Sequence, residues 1–177
     1  SGVGKTTIAT KLLKTYPDIE RLVTFTTRQP RPGEIDGVDY HFVNDARFDA
    51  MKLNGELFEH DSHYGFNYGN SRKELEKIWQ SGKTALMVLD INGARTVENI
   101  FPEATSIFLQ PDSMDILKTR ILKRPMSAEA FQNRWEAAEE EMALSEECDF
   151  TVMNEEGKIA EAVQQIKVII EKTETNK

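Results

Sequence analysis

The first seven residues, Ser1-Gly2-Val3-Gly4-Lys5-Thr6-Thr7, constrain the fold more than any other stretch of this chain. Gly4-Lys5-Thr6 is the closing half of the phosphate-binding motif G-x-x-x-x-G-K-S/T. Its glycines let backbone N–H groups turn inward around phosphate oxygens, its lysine reaches the outer phosphates as a point charge, and its hydroxyl suits Mg²⁺. A helical pattern follows at once, with Ile8, Leu12 and Leu13 on one face from Lys5 to about Lys14 and Pro17 as its stop. The N-terminus of that helix adds its positive dipole end to the same place. The opening glycine of the full motif, and the strand that delivers a chain into such a loop, would lie before Ser1. A bare G-K-T also occurs in ordinary turns that precede helices, so the remaining residues have to decide.

They alternate between the two regular patterns. Leu22–Thr26 reads as a short buried strand, and residues 27–43 carry turn-forming prolines and glycines before Tyr40-His41-Phe42-Val43 alternates like a strand. Asn44 is placed to cap a helix through Phe48 and Met51 that Gly55 ends. Residues 56–68 read as one or two strands with a turn at Gly65, and a helix from about Ser71 to Gln80 would turn Leu75, Ile78 and Trp79 inward. Thr84–Leu89 is a continuous apolar run, the mark of a central parallel strand. Helix near 94–100, strand near 105–109, helix 113–123, a break at Pro125, an acidic helix 128–146, a strand at 150–153 and a helix striped by Ile159, Val163, Ile166 and Ile170 complete the series. Strands alternating with helices imply an α/β fold: a parallel sheet flanked by helices, its ligand at the carboxyl ends of the strands, with a mixed α+β insertion over residues 27–80. The length of 177 residues suits one domain, 1–177.

Composition removes several function classes. A net charge of −8 argues against a nucleic-acid partner, since phosphate backbones demand a basic face. Without a run of 18 apolar residues, no membrane-spanning helix is expected. The single cysteine, Cys148, has no internal disulfide partner and suits a cytoplasmic location. Any phosphate bound here must therefore meet a local basic pocket, which makes the positions of the arginines informative.

Arg28 and Arg31 stand three apart in a proline-rich turn, with Tyr40 downstream. Two guanidiniums in a stiff loop can clamp a phosphate by paired hydrogen bonds, although a solvated surface pair is the ordinary reading of such arginines. Around them, Thr26, Thr27, Arg28, Arg31, Glu34, Gly37, Tyr40 and Phe42 fill eight positions at the spacing of the guanylate kinase signature. The chain resembles that family there, and also in the phosphate loop, Glu59…Tyr68-Gly69, Asp90-Ile91-Asn92-Gly93, the arginine-bearing helices and Val152-Met153-Asn154. The resemblance implies a P-loop nucleoside monophosphate kinase-like fold and phosphorylation of GMP to GDP by MgATP.

Residue by residue, it implies that Arg28, Arg31, Tyr40 and Tyr68 hold the GMP phosphate, and that Thr24, Glu59, Asn70 and Asp90 contact or orient the nucleoside. Glu59 also makes sense unaided. Guanine offers two adjacent donors, N1–H and N2–H, which one carboxylate can accept together, whereas adenine would leave that buried carboxylate unpaired. Ser1, Gly2, Val3, Gly4, Lys5, Thr6 and Thr7 would surround the ATP phosphates, with Thr6 on Mg²⁺, and Asn154 would lie beside the adenine. Arg120, Arg124 and Arg134, in a lid over residues 120–134, would join Lys5 and Arg28 in stabilising the charge on the migrating phosphoryl group.

Some positions depart from the family pattern. Val88 stands where an acidic residue that helps to organise Mg²⁺ is usual, Asn92 replaces a glutamine, and Asn70 replaces Ser or Thr. The segment Lys123–Ser127 is one residue shorter and lacks the usual glycines. His60, Asp61 and His63 could be taken for a metal cluster, but exposed polar residues of a loop are the ordinary reading; the glutamates of 136–147 read as a solvated helix face. Two other functions stay open at this level: a kinase for another small phosphorylated substrate, and a guanylate-kinase-like interaction module without catalysis. The retained Lys5 and Thr6 speak against the second.

Overall fold

A computed structural model describes residues 2–63, 65–123 and 125–175. In chain order it contains α1 (Lys5–Thr15), β1 (Ile19–Arg21), β2 (Phe25–Thr26), β3 (His41–Phe42), α2 (Asp45–Leu53), β4 (Leu57–His63), β5 (Phe66–Ser71), α3 (Arg72–Gln80) and β6 (Thr84–Leu86). Then follow α4 (Ile91–Ile100), β7 (Ile107–Pro111), α5 (Met114–Leu122), α6 (Ala128–Ala143), a 3₁₀ turn at Ser145–Glu147, β8 (Phe150–Asn154) and α7 (Ile159–Thr175). The chain divides into two compact units, Ser1–Thr15 with Glu98–Lys177, and Tyr16–Val97.

In the first unit β7 and β8 pair in parallel, from Ile107 opposite Phe150 to Pro111 opposite Asn154. The pairing is locked at its start by Asp149, whose carboxylate accepts from the Ser106 N–H at 2.8 Å and its hydroxyl at 3.1 Å. Ser113 and Ser127 begin α5 and α6 by accepting the N–H of Ile116 and of Ala130, each satisfying one orphan donor of a first turn. The buried faces of these helices, Leu117, Ile121 and Ala138, close on Val3, with Phe131 and Trp135 packed around them. Burying that apolar face, more than helix propensity, holds α5 and α6 in place.

In the second unit the four-stranded sheet runs β3-β2-β5-β4, with β2 parallel to β3 and antiparallel to β5. A separate parallel pair joins β1 to β6. The apolar run at Leu22–Thr26, expected as one strand, is instead a crossing between these two sheets. Leu22 donates its N–H to the Leu86 carbonyl at 2.9 Å, beside β1, and by Phe25 the chain has joined β2. Both neighbours bury apolar residues, so sequence pattern alone could not separate them. Thr84–Leu89 is parallel as expected, but only Thr84–Leu86 is strand, and Thr84 is exposed. Trp79, expected inward, is 46% exposed: α3 buries Leu75 and Ile78, and the next position lies about 100° round the helix from Ile78.

Along β4, Glu59, Asp61 and His63 share one face, whereas a bulge between Leu57 and Glu59 turns Leu57 to the other face with Phe48 and Met51, and β5 pairs along the strand edge. Closure depends on Gly69. A Cβ there would lie 2.8 Å from Leu57 Cδ1, 3.1 Å from the Phe48 ring and 3.2 Å from the Glu59 carbonyl oxygen. Gly69→Ala should therefore cost about 1–3 kcal/mol through overpacking. A urea titration would show it as a lower midpoint at unchanged slope, and an unchanged midpoint would mean that Leu57 and Phe48 yield freely.

Candidate functional site

The phosphate loop of the first unit is built on backbone geometry. Gly2 and Gly4 have φ of +81° and +98°, a region that side-chain-bearing residues seldom adopt. A Cβ on Gly4 would also lie 2.6 Å from Asn154 Nδ2. Asn154 is 5% exposed, and its amide donates to the Val3 carbonyl at 2.7 Å, so it props the loop from beneath. Arg120 in turn donates to the Asn154 carbonyl at 3.4 Å from both terminal nitrogens and faces Asp112 at 3.5 Å. The Ile8 N–H donates to the Gly4 carbonyl, which starts α1 directly from the loop.

Lys5 Nζ stands 4.0 Å from Glu141 of α6, with its side chain about a third exposed. Thr6 and Thr7 are exposed in the first turn of α1. Thr6 offers one exposed hydroxyl there, an oxygen donor of the kind that a hard divalent cation takes. Arg134 is half-buried on α6. Ser1 and Arg124 lie outside the described residues.

The second unit supplies side chains. Thr24, Thr26 and Arg28 share a parity along the chain, and all three are buried. Glu59 of β4 lies opposite Asn70 of β5, and that register makes a chain of three buried polar groups. Thr24 donates its hydroxyl to Asn70 Oδ1 at 3.1 Å, and Asn70 Nδ2 donates to Glu59 Oε2 at 2.7 Å. Burial pushes the Glu59 carboxyl above its ordinary range; the Asn70 hydrogen bond opposes this, the charges of Asp90 and Asp61 add to it, and His63 opposes it. Gly93 leaves room beside Glu59, since a Cβ on it would lie 3.2 Å from Oε1. Asp90 Oδ1 accepts the Gly93 N–H at 2.8 Å, which fixes the carboxylate at the start of α4.

Arg28 is held by its own loop. It donates to the Gln29 carbonyl at 2.7 Å and to Glu34 Oε1 at 2.9 Å, and its guanidinium lies 5.2 Å from the centre of the Tyr40 ring. Tyr68 meets Tyr40 edge-on at 6.1 Å. Burial disfavours the Arg28 charge, but the hydrogen bond and charge of Glu34, with Tyr68, hold it firmly protonated. Arg31 stands 49% exposed and 4.0 Å from Glu34, so both arginines of the motif share one carboxylate. Arg21, which the sequence did not single out, donates to the Asp39 carbonyl and lies 5.7 Å from the Tyr40 ring centre. The loop of 27–43 is tied by carboxylates to backbone: Asp36 accepts from Phe42 N–H and Asp39 from Ile35 N–H. His60 turns outward, whereas Asp61 and His63 meet Asp90, with one donor atom from each within 4.8 Å of the others.

Glu34 carries the prediction for this loop. Burial would raise its carboxyl, but Arg28 and the Arg31 N–H pull it below its ordinary value of 4.5. A lowered carboxyl gives stability that is present above the unfolded value and lost as pH falls through the folded one. Glu34→Gln should therefore be less stable than the parent near neutrality, and its urea stability should decline less between about pH 5 and pH 3. Parallel pH profiles for the two proteins would show that Glu34 does not fasten Arg28.

Comparison with known proteins completes the description. The family model described as guanylate kinase matches residues 1–173. The chain is 38% identical over 172 residues to the guanylate kinase of Nitrosospira multiformis, covering 97% of this chain and 81% of that protein. It is 41% identical over 157 residues to that of Thiobacillus denitrificans, covering 88% and 75%. The crystal structure of guanylate kinase from Anaplasma phagocytophilum superposes with a TM-score of 0.79 at 33% identity, covering 94% of this chain and 80% of that one.

Proposed function

The chain belongs to the guanylate kinase family, and we propose that it performs the reaction this name denotes, ATP + GMP to ADP + GDP, with the phosphate loop serving ATP and the Arg28–Tyr68 and Glu59–Asn70 groups serving GMP. It is a phosphotransferase that needs no nucleophilic side chain. Phosphoryl transfer asks the protein for position and for positive charge around a reacting group whose own phosphate oxygen attacks in line.

The observation that carries the GMP assignment is the buried Glu59, 6% exposed and hydrogen-bonded through one oxygen to Asn70. Such a carboxylate is costly unless a ligand brings donors to it. Guanine brings N1–H and N2–H side by side. Adenine has no such pair and would bury Glu59 without its partners. Arg28, ringed by Tyr40, Tyr68 and Glu34, is the cation for the acceptor's phosphate, and Arg31 supplies a second guanidinium. Thr24 and Asp90 complete the nucleoside contacts.

On the donor side, Lys5 swings from Glu141 to the outer phosphates. Thr6 would hold Mg²⁺, which neutralises charge on the ATP phosphates when bound. Arg120, Arg124 and Arg134 add positive charge from the 120–134 segment, a lid within one kinase domain whose residues 27–80 bind GMP. Asn154, tied to Val3, sets the shape of the loop as much as it faces the adenine. None of the described helices is long and apolar enough to cross a membrane. A cytoplasmic place of action, supported by a lone half-buried Cys148, is part of the same proposal.

A coupled ADP-release assay with AMP, GMP, CMP and UMP tests the whole reading, and preference for any acceptor but GMP would overturn it. Lys5→Met should lower kcat at least about a hundredfold, near 3 kcal/mol, while the protein stays folded; near-normal turnover would remove the phosphate-loop assignment. Glu59→Gln presents a donor where guanine also has a donor. Its KM for GMP should rise roughly ten- to a hundredfold, with KM for ATP within about threefold. Because the folded protein raises the Glu59 carboxyl, its ionised form opposes folding above that value, so Glu59→Gln should not unfold at lower urea than the parent near neutrality.

A further inference from the structure

Three carboxylates, Glu59, Asp61 and Asp90, gather at one end of the β4 face, and His63 lies between two of them. Its Nε2 is 3.3 Å from Asp61 Oδ2 and in direct contact with Asp90 Oδ2. The two aspartates are arranged alike. Asp61 Oδ1 accepts the Ser62 N–H at 2.6 Å, and Asp90 Oδ1 accepts the Gly93 N–H at 2.8 Å. Each thus has one oxygen pinned by backbone and the other turned to the imidazole. His63 is itself placed by strand alternation, two residues beyond Asp61 and four beyond Glu59 on the same face, with the Tyr68 ring 6.2 Å away.

We propose that His63 is a positioning residue for the nucleobase: its imidazolium gathers Asp61 and Asp90, aims Asp90 at the nucleoside, and offsets the negative charge around Glu59. This rests on the reading of Glu59 as the guanine acceptor. Without His63, Asp61 and Asp90 face each other and Glu59 with no cation between them. Repulsion then turns Asp90 away from its place and favours a protonated Glu59, which accepts fewer hydrogen bonds from guanine. The direction of His63's effect on the Glu59 carboxyl agrees with this arrangement. The effect belongs to GMP binding and not to the chemical step, because the carboxylates that His63 meets, Asp61 and Asp90, lie beside Glu59 on the nucleobase side of the proposed site.

Calorimetric titration with GMP, without ATP or Mg²⁺, and steady-state kinetics test the proposal on the full chain. His63→Ala should weaken GMP binding about tenfold and raise KM for GMP to match, with kcat and KM for ATP within about twofold. His63→Gln, which keeps one donor, should fall between the two. Adding Asp61→Asn to His63→Ala should recover most of the lost affinity, because it removes the charge left unanswered; a merely structural role for His63 gives no such recovery. Unchanged GMP affinity in His63→Ala, or a fall in kcat without a change in KM, would overturn the proposal. So would loss of GMP affinity in the parent on adding EDTA, since a divalent cation and not a proton would then bridge the three side chains. Glu59→Gln in the same series separates the two readings. If it loses GMP affinity and His63→Ala does not, only the role of His63 falls, and if neither loses affinity the guanine site itself is wrong.

Discussion

Burial of the Glu59 carboxylate is the constraint on which the second unit depends. An isolated carboxylate out of water is worth several kcal/mol of instability, so its surroundings must be held to hydrogen-bond tolerance. The β4–β5 register does this by setting Asn70 directly across from Glu59, and the absence of a side chain at Gly69 lets the strands approach closely enough. Thr24 fixes which way the Asn70 amide points, since its hydroxyl donates to Oδ1 and leaves Nδ2 for Glu59. The crossing of the chain from β1 to β2 brings Thr24 to that point. A crossing that the sequence reads as one regular strand is thus what carries the first member of the chain into place.

A second constraint is shared by both units: a protein of net charge −8 must keep the cations proposed to meet phosphate ordered among acids. Three of them are paired with an acid near the place where they would work. Arg28 has Glu34, Arg120 has Asp112, and Lys5 has Glu141 at a longer 4.0 Å. The first pair is the tighter and more buried, which suits a guanidinium that stays put and binds a phosphate with its remaining N–H groups. The Lys5 pair is long and partly exposed, so the attraction is screened and easily exchanged for phosphate oxygens.

The elements legible in the sequence were those whose cause is local. α1 follows from glycine, lysine and an apolar stripe, α2 from Asn44 and Gly55, and the parallel pairing of Thr84–Leu86 from apolar continuity. The eight-position signature around Arg28 led to the family because spacing in a loop is itself sequence. Three things were not legible, each because its cause is distant in the chain. The split of Leu22–Thr26 depends on which of two sheets each residue joins. The exposure of Trp79 depends on how wide a face α3 must cover. The reading of His60, Asp61 and His63 as exposed loop residues holds only for the exposure of His60, because strand alternation turns it outward while folding brings the half-buried Asp61 and His63 of β4 to Asp90.

Glu34 illustrates the same limit inside a recognised motif. The sequence placed it correctly by spacing and could not say what it does. In the fold its two oxygens are divided, Oε1 between the guanidiniums of Arg28 and Arg31 and Oε2 on the Arg31 N–H. An acid between two arginines proposed to bind phosphate looks counterproductive by charge alone, since it would compete with the ligand. The geometry answers this: Arg28 gives Glu34 one terminal nitrogen and Gln29 the other, so its rotamer is fixed before a phosphate arrives. A long flexible cation would otherwise lose about 1–2 kcal/mol of rotamer freedom on binding. Holding it in place transfers that loss to folding, where the Tyr40 and Phe42 rings, 5.2 and 5.8 Å from the guanidinium, help to offset it.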